Sequence, residues 1–142
     1  MKKYAPVFAI TLLALIIAGA SWFLMFDKSA EAPPSGGSDL ISGKPQTVPV
    51  PGVPTMVDIG AHSCIPCKMM TPIIQELSVE YKDRAAIVFI DVWRYPDQTA
   101  KYGIRAIPTQ IFYDAKGVER YRHQGFMDKP SIMAKLAEIG AR

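Results

Sequence analysis

Cys64 and Cys67 are the only cysteines of the 142-residue chain, and only two residues separate them in His62-Ser63-Cys64-Ile65-Pro66-Cys67-Lys68. The apolar spacing beyond them makes this segment a helix start. A sulfur at that place lies beside unpaired amide N–H groups and the positive end of the helix dipole, which favours thiolate over thiol. Cys64 is therefore the candidate nucleophile. Cys67, nearly one turn further in, is expected to be shielded and close enough to attack a mixed disulfide formed on Cys64. That chemistry is thiol–disulfide exchange.

Other uses of two cysteines fit less well. A closed zinc site needs four ligands, only His62 and His123 are available to complete one, and His62 lies at a strained spacing from Cys64. Copper delivery through Cys64, Cys67 and His123 is a second metal reading. A purely structural disulfide would close so short a loop that it removes little unfolded-chain entropy.

The cysteines must be positioned by the elements around them. Thr55-Met56-Val57-Asp58-Ile59-Gly60 is short, β-branched and largely apolar, a buried strand running into the cysteine motif with one charge, Asp58, out of place in a core. Helical spacing over Ile65 to Tyr81 puts Met69, Met70, Ile73, Ile74 and Leu77 on an apolar face, with Pro72 expected to kink the helix. Ala86 to Val92 is a second buried strand, and Pro96 to Tyr102 a short helix closed at Gly103. Thr109–Tyr113 and Val118–His123 flank Asp114-Ala115-Lys116-Gly117 as a hairpin, the second strand exposed and alternating. Asp128 caps a last helix with Pro130 in its first turn and Ile132, Met133, Leu136 and Ile139 on one face. The order β-α-β-α-β-β-α predicts an α/β domain, one central sheet flanked by helices.

Upstream, the composition changes twice. Lys2 and Lys3 precede an uncharged, mostly apolar run from Tyr4 to Phe26, and about 20 such residues span a bilayer as a helix. Ala18-Gly19-Ala20 resembles a signal-peptide cleavage site, but Trp22 to Phe26 continues the apolar run beyond it, which favours an uncleaved signal anchor over a secreted chain beginning near Ser21. Either reading exports the rest of the chain, since Lys2 and Lys3 stay cytoplasmic. Residues 27–54, rich in Pro, Gly, Ser and Ala, read as a linker, with packing of Val48–Pro54 as an irregular domain edge the alternative for that part. The expected organisation is thus a cytoplasmic start at 1–3, a membrane segment at 4–26, a linker at 27–54 and a domain at 55–142. With 49% hydrophobic residues, part of them in the N-terminal block, the globular part is ordinary. A net charge of +3 with interspersed signs gives no basic patch and no argument for nucleic acid.

Taken together, Val57-Asp58 before the cysteines, Cys64-Ile65-Pro66-Cys67-Lys68 with Pro72 after them, and Lys101-Tyr102-Gly103-Ile104-Arg105-Ala106-Ile107-Pro108-Thr109 resemble the thioredoxin family at the family's spacing, and Gly117 and Gly125 fit as well. The resemblance covers about Thr55 to Ile139. It implies a thioredoxin-like fold and a redox-active Cys64–Cys67 disulfide. It also implies a cis Ile107–Pro108 peptide beside the sulfurs, with Ile65, Pro66, Ile107, Pro108 and Gly125 meeting the substrate. Disulfide-containing proteins are then the substrates, no cofactor or metal is needed, and a membrane electron-transfer protein supplies electrons. Asp58 is expected to take the proton that Cys67 loses.

Four departures from the family pattern carry consequences. Gly60 and Ser63 replace flanking aromatic residues. Phe89 corresponds to a buried lysine, so Asp58 loses a charge partner and its pKa should rise further. Ile65 stands where thioredoxin has glycine. The family's first strand and helix give way to the Pro-rich segment, predicting a trimmed fold. The expected direction is reduction, with disulfide formation by an oxidant of the same fold as the rival.

Overall fold

A computed structural model describes residues 37–142. The apolar run 4–26, with its competing anchor and signal-peptide readings, and linker residues 27–36 lie outside the described residues. Among the described residues no helix is long and apolar enough to cross a membrane.

A one-turn helix α1 (Gly37–Leu40) is followed by β1 (Thr55–Gly60), α2 (Ile65–Glu80), β2 (Ala86–Asp91), α3 (Asp97–Lys101), β3 (Thr109–Tyr113), β4 (Glu119–Gln124) and α4 (Lys129–Glu138). The sheet order is β2-β1-β3-β4, with β1 parallel to β2 and antiparallel to β3, and β3 antiparallel to β4. Helix α2 is the crossover of the parallel pair. Every residue of β1 and β2 is buried because both faces of the sheet are covered.

Alternation along the strands sorts the core into two layers. Met56, Ile87, Phe89 and Phe112 pack with Met70, Ile74 and Leu77 of α2 and Ile132 and Leu136 of α4. Val57, Ile59, Val88, Ile90 and Ile111 face the other way, against Tyr102 and Ile104 beyond α3. Asp58 and Gly60, in phase with Met56, therefore face α2. The predicted caps form: Asp128 accepts from Ser131 N at 2.9 Å, and Gly103 takes φ 61° after α3.

Two expectations need correction. Met69 does not join the apolar face of α2 but is 54% exposed. Met70, Ile74 and Leu77 hold the buried stripe, and Met69 falls one residue out of phase with it, four residues after Ile65, which is 77% exposed. Residues 37–54 are not all linker either. Val50 is buried, and Leu40, Val48 and Val53 pack beside it against the α3 side of the sheet. The Thr55 hydroxyl accepts from Val50 N at 3.1 Å and donates to Val53 O at 2.9 Å, tying this segment to the start of β1. Of the two readings for Val48–Pro54, the packed edge is the one observed. Upstream, Gly43 makes a single parallel bridge to Ile90, with Asp91 N donating to Gly43 O at 2.9 Å. Among the described residues, this one bridge stands on the outer edge of β2.

Candidate functional site

Cys64 is the N-cap of α2, in extended backbone (φ −81°, ψ 129°), and its sulfur accepts from Cys67 N at 3.4 Å. Pro66 sits in the first turn, where a missing N–H costs nothing. Cys64 and Cys67 are joined as a disulfide with Cα atoms 5.2 Å apart. Cys67 is the more enclosed of the two, 3% exposed against 8% for Cys64. Its sulfur rests against Gly60, where a Cβ would lie 3.1 Å away. Glycine at this place leaves room for the sulfur to seat on the strand.

The Ile107–Pro108 peptide is cis, and Ile107 packs against Ala61, Cys64 and Cys67. Gly125, at φ 99°, donates its N–H to Pro108 O at 2.8 Å, so the two segments expected to meet a substrate are joined to each other beside the sulfurs. Ile65 and Pro66 are exposed at the same helix start.

Asp58 lies two residues before Gly60 on the same face of β1, about 7 Å back along the strand. It is fully buried, with Phe89 as its register partner on β2 and Gln110 on β3. Burial pushes its carboxyl from 3.8 up to about 7, against the opposing pull of Gln110, whose Nε2 donates to Oδ1 at 2.7 Å. The expected apolar partner at Phe89 is in place.

Gln110 is a residue that sequence reasoning missed, although a lone amide in the apolar strand Thr109–Tyr113 was a signal. Asp91 is another. It ends β2, and its carboxylate accepts from His62 N at 3.1 Å, from His62 Nδ1, from Trp93 N at 2.9 Å and from Arg94 N at 3.1 Å. Burial acts to raise its pKa, but these donors outweigh burial and hold it below the ordinary 3.8. The His62 ring also stands edge-on to Phe89, with centroids 5.1 Å apart. Gly43 closes over that ring with φ 80°, and a Cβ there would come within 2.9 Å of His62 Cε1.

The histidines are thus turned to other partners than the cysteines, His62 to Asp91 and His123 to Phe126 O at 3.2 Å. Among the described residues, no three His, Cys, Asp or Glu side chains group as metal ligands. What the arrangement can do is pass a disulfide from one partner to another: an outer sulfur, an inner sulfur, and a carboxyl behind it able to hold a proton near neutral pH.

Comparisons with known proteins agree with this chemistry. The family described as Thioredoxin matches residues 46–138. The thioredoxin of Staphylococcus aureus is 38% identical over 82 residues, 57% of this chain and 77% of the relative. That of Rickettsia prowazekii is 36% identical over 81 residues, 57% of this chain and 76% of the relative. Among solved structures, chloroplastic thioredoxin z superposes with a TM-score of 0.56 at 28% identity, covering 64% of this chain and 81% of that one. The Malassezia sympodialis thioredoxin gives 0.53 at 26%, covering 62% and 76%.

Proposed function

This chain belongs to the thioredoxin family, and on that premise we propose that it is a membrane-tethered thiol–disulfide oxidoreductase that reduces disulfides of extracytoplasmic proteins. The observation that carries the reading is the Cys64–Cys67 pair at the start of α2, beside cis Ile107–Pro108 and in front of a buried Asp58. In the reduced protein the Cys64 thiolate attacks a substrate disulfide, forming a mixed disulfide and releasing one substrate thiolate. Cys67 then gives its proton to Asp58, directly or through water, and attacks the Cys64 sulfur. The second substrate thiolate leaves and the Cys64–Cys67 disulfide closes. Two electrons pass to the substrate, and a membrane electron-transfer protein restores them.

Reduction is favoured over oxidation because a partly ionised Asp58 behind the sulfurs disfavours thiolates nearby, whereas strong oxidants stabilise their reduced form. Tethering rests on the apolar run 4–26 behind Lys2 and Lys3.

Three experiments test the reading. With disulfide-containing substrates, Cys67→Ser should accumulate mixed disulfides through Cys64, and Cys64→Ser should trap almost none; equal trapping overturns the assigned roles. A potential near about −120 mV instead of about −270 mV would make the protein an oxidant. In cells, the full-length chain should sediment with membranes and be clipped by protease added outside. A soluble chain beginning near Ser21 would show that the segment is a cleaved signal.

A further inference from the structure

Asp58 and Gln110 leave two atoms unexplained. Both residues are fully buried and face each other in register across β1 and β3. One hydrogen bond joins them, from Gln110 Nε2 to Asp58 Oδ1 at 2.7 Å. The remaining oxygens, Asp58 Oδ2 and Gln110 Oε1, are buried without a hydrogen-bond partner. With Asp58 ionised, both are acceptors and neither can serve the other. A single proton on Oδ2, donated to Oε1, satisfies both and closes a two-bond ring between a carboxylic acid and a carboxamide. Gln is suited to this place because one planar end both donates and accepts. The next residues of β3, Ile111 and Phe112, are apolar, and packing alone would be served equally by a leucine.

We propose that Gln110 is the positioning residue for the proton of Asp58. It keeps its N–H on Oδ1 in both protonation states, so the proton enters and leaves at Oδ2, and its Oε1 holds that proton while the carboxyl is neutral. The surroundings leave this task to Gln110. The core cluster on this face of the sheet holds Met70 and Ile74 of α2 and Ile132 and Leu136 of α4, and Cys67 closes the end of the face at Gly60. β2 contributes Phe89 as the register partner of Asp58, and β4 places His123 opposite Gln110, one strand further from Asp58. Among them only Cys67, whose sulfur is held in the disulfide, and His123 carry ionisable side-chain types, and burial and Gln110 are the influences that set the Asp58 carboxyl. The consequence for catalysis rests on the reading that Asp58 receives the Cys67 proton: the carboxylate is held in one orientation, with Oδ2 its accepting atom.

The test uses the full-length chain, labelled with 13C at the aspartate carboxyls and titrated by NMR in the disulfide state. Gln110→Leu removes a donor to the charged form, worth more than the acceptor it also removes, so the Asp58 midpoint should rise by about one pH unit or more. Gln110→Glu, similar in shape, should give two carboxyls sharing one proton and titrating in two separated steps. An Asp58 midpoint unmoved in both variants overturns the proposal, whereas a purely structural Gln110 would change denaturant stability alone. The pH profile of mixed-disulfide resolution separates the two claims. A profile that moves with the midpoint supports both. A moved midpoint with an unmoved profile upholds Gln110 as the partner of the Asp58 proton and removes Asp58 as the base.

Discussion

The interior of the sheet behind Cys67 and its rim beside Cys64 each hold a buried aspartate, and the pKa values of the two are shifted in opposite directions. Asp58, mid-strand and 0% exposed, has one donor, and burial lifts it to about 7. Asp91, at the end of the adjacent parallel strand and 5% exposed, has four donors and is held below 3.8 despite burial. Both carboxyls are nearly closed to water, but Asp58 lies deep in the core and Asp91 at its edge, so weaker desolvation and a larger supply of donors act together to lower the pKa of Asp91. Mid-strand, the neighbouring N–H groups are already spent in the ladder, and only a side chain can serve the carboxyl. At the strand end the chain leaves the ladder, and loop N–H groups turn toward whichever acceptor stands there. The interior thus gains a group that can carry a proton, and the rim gains a fixed anion that clasps the loop leading into Cys64 to the one leaving β2.

The largest effect is expected at the interior aspartate. Asp58→Asn should slow resolution of the mixed disulfide at neutral pH by about 10²-fold or more, the usual worth of a positioned base, and an unchanged rate removes Asp58 from the mechanism. Its stability effect has a definite sign. The folded pKa is raised, so ionisation opposes folding: stability is greatest below the unfolded value of 3.8, falls as pH rises to about 7, and is flat above. The penalty at high pH is on the order of 4 kcal/mol. Urea denaturation should find Asp58→Asn more stable than the parent at pH 8 and little different near pH 4. A variant less stable at pH 8 would break the contrast between the two carboxyls.

At the rim the sign reverses. Asp91→Ala strands the donors of His62, Trp93 and Arg94 and should cost about 2–4 kcal/mol at neutral pH. Because the Asp91 pKa is lowered on folding, its contribution is present above 3.8 and is lost as pH falls through the folded value. The gap between parent and Asp91→Ala in urea should therefore close on acidification below about pH 4. A gap independent of pH would mean that the carboxylate charge does no clasping.

A smaller step dissects the rim. His62→Ala removes one donor, the partly exposed ring, and leaves the three backbone donors, so it should cost about 1 kcal/mol or less. It should also move the acid loss of stability upward toward pH 3.8. A cost equal to that of Asp91→Ala would place the whole clasp in the His62 ring.

Much of the local structure was legible because its causes lie close together in the chain. Cys64 before an apolar 3.6-residue period, Asp128 three residues from Ser131, and Asp114 to Gly117 between two β-rich runs each specify a cap or a turn within a few residues. The buried, raised Asp58 was legible as a charge in an apolar strand. Met69 was not placed correctly, because the width of an apolar stripe depends on what packs over it. The segment Val48–Pro54 could be read either way, since its valines pack only against a sheet surface assembled from residues far along the chain.

By itself the sequence determined which atoms can react: two sulfurs at a helix start, a carboxyl on the preceding strand, and a proline segment whose likeness to a known family placed it beside them. Only the tertiary structure decided what surrounds them. Strand register brought Gln110 to Asp58 across 52 residues and His62 to Asp91 across 29. No local pattern encodes register between distant strands. It arises from which faces the whole sheet buries, and that in turn determined which of two aspartates keeps its proton.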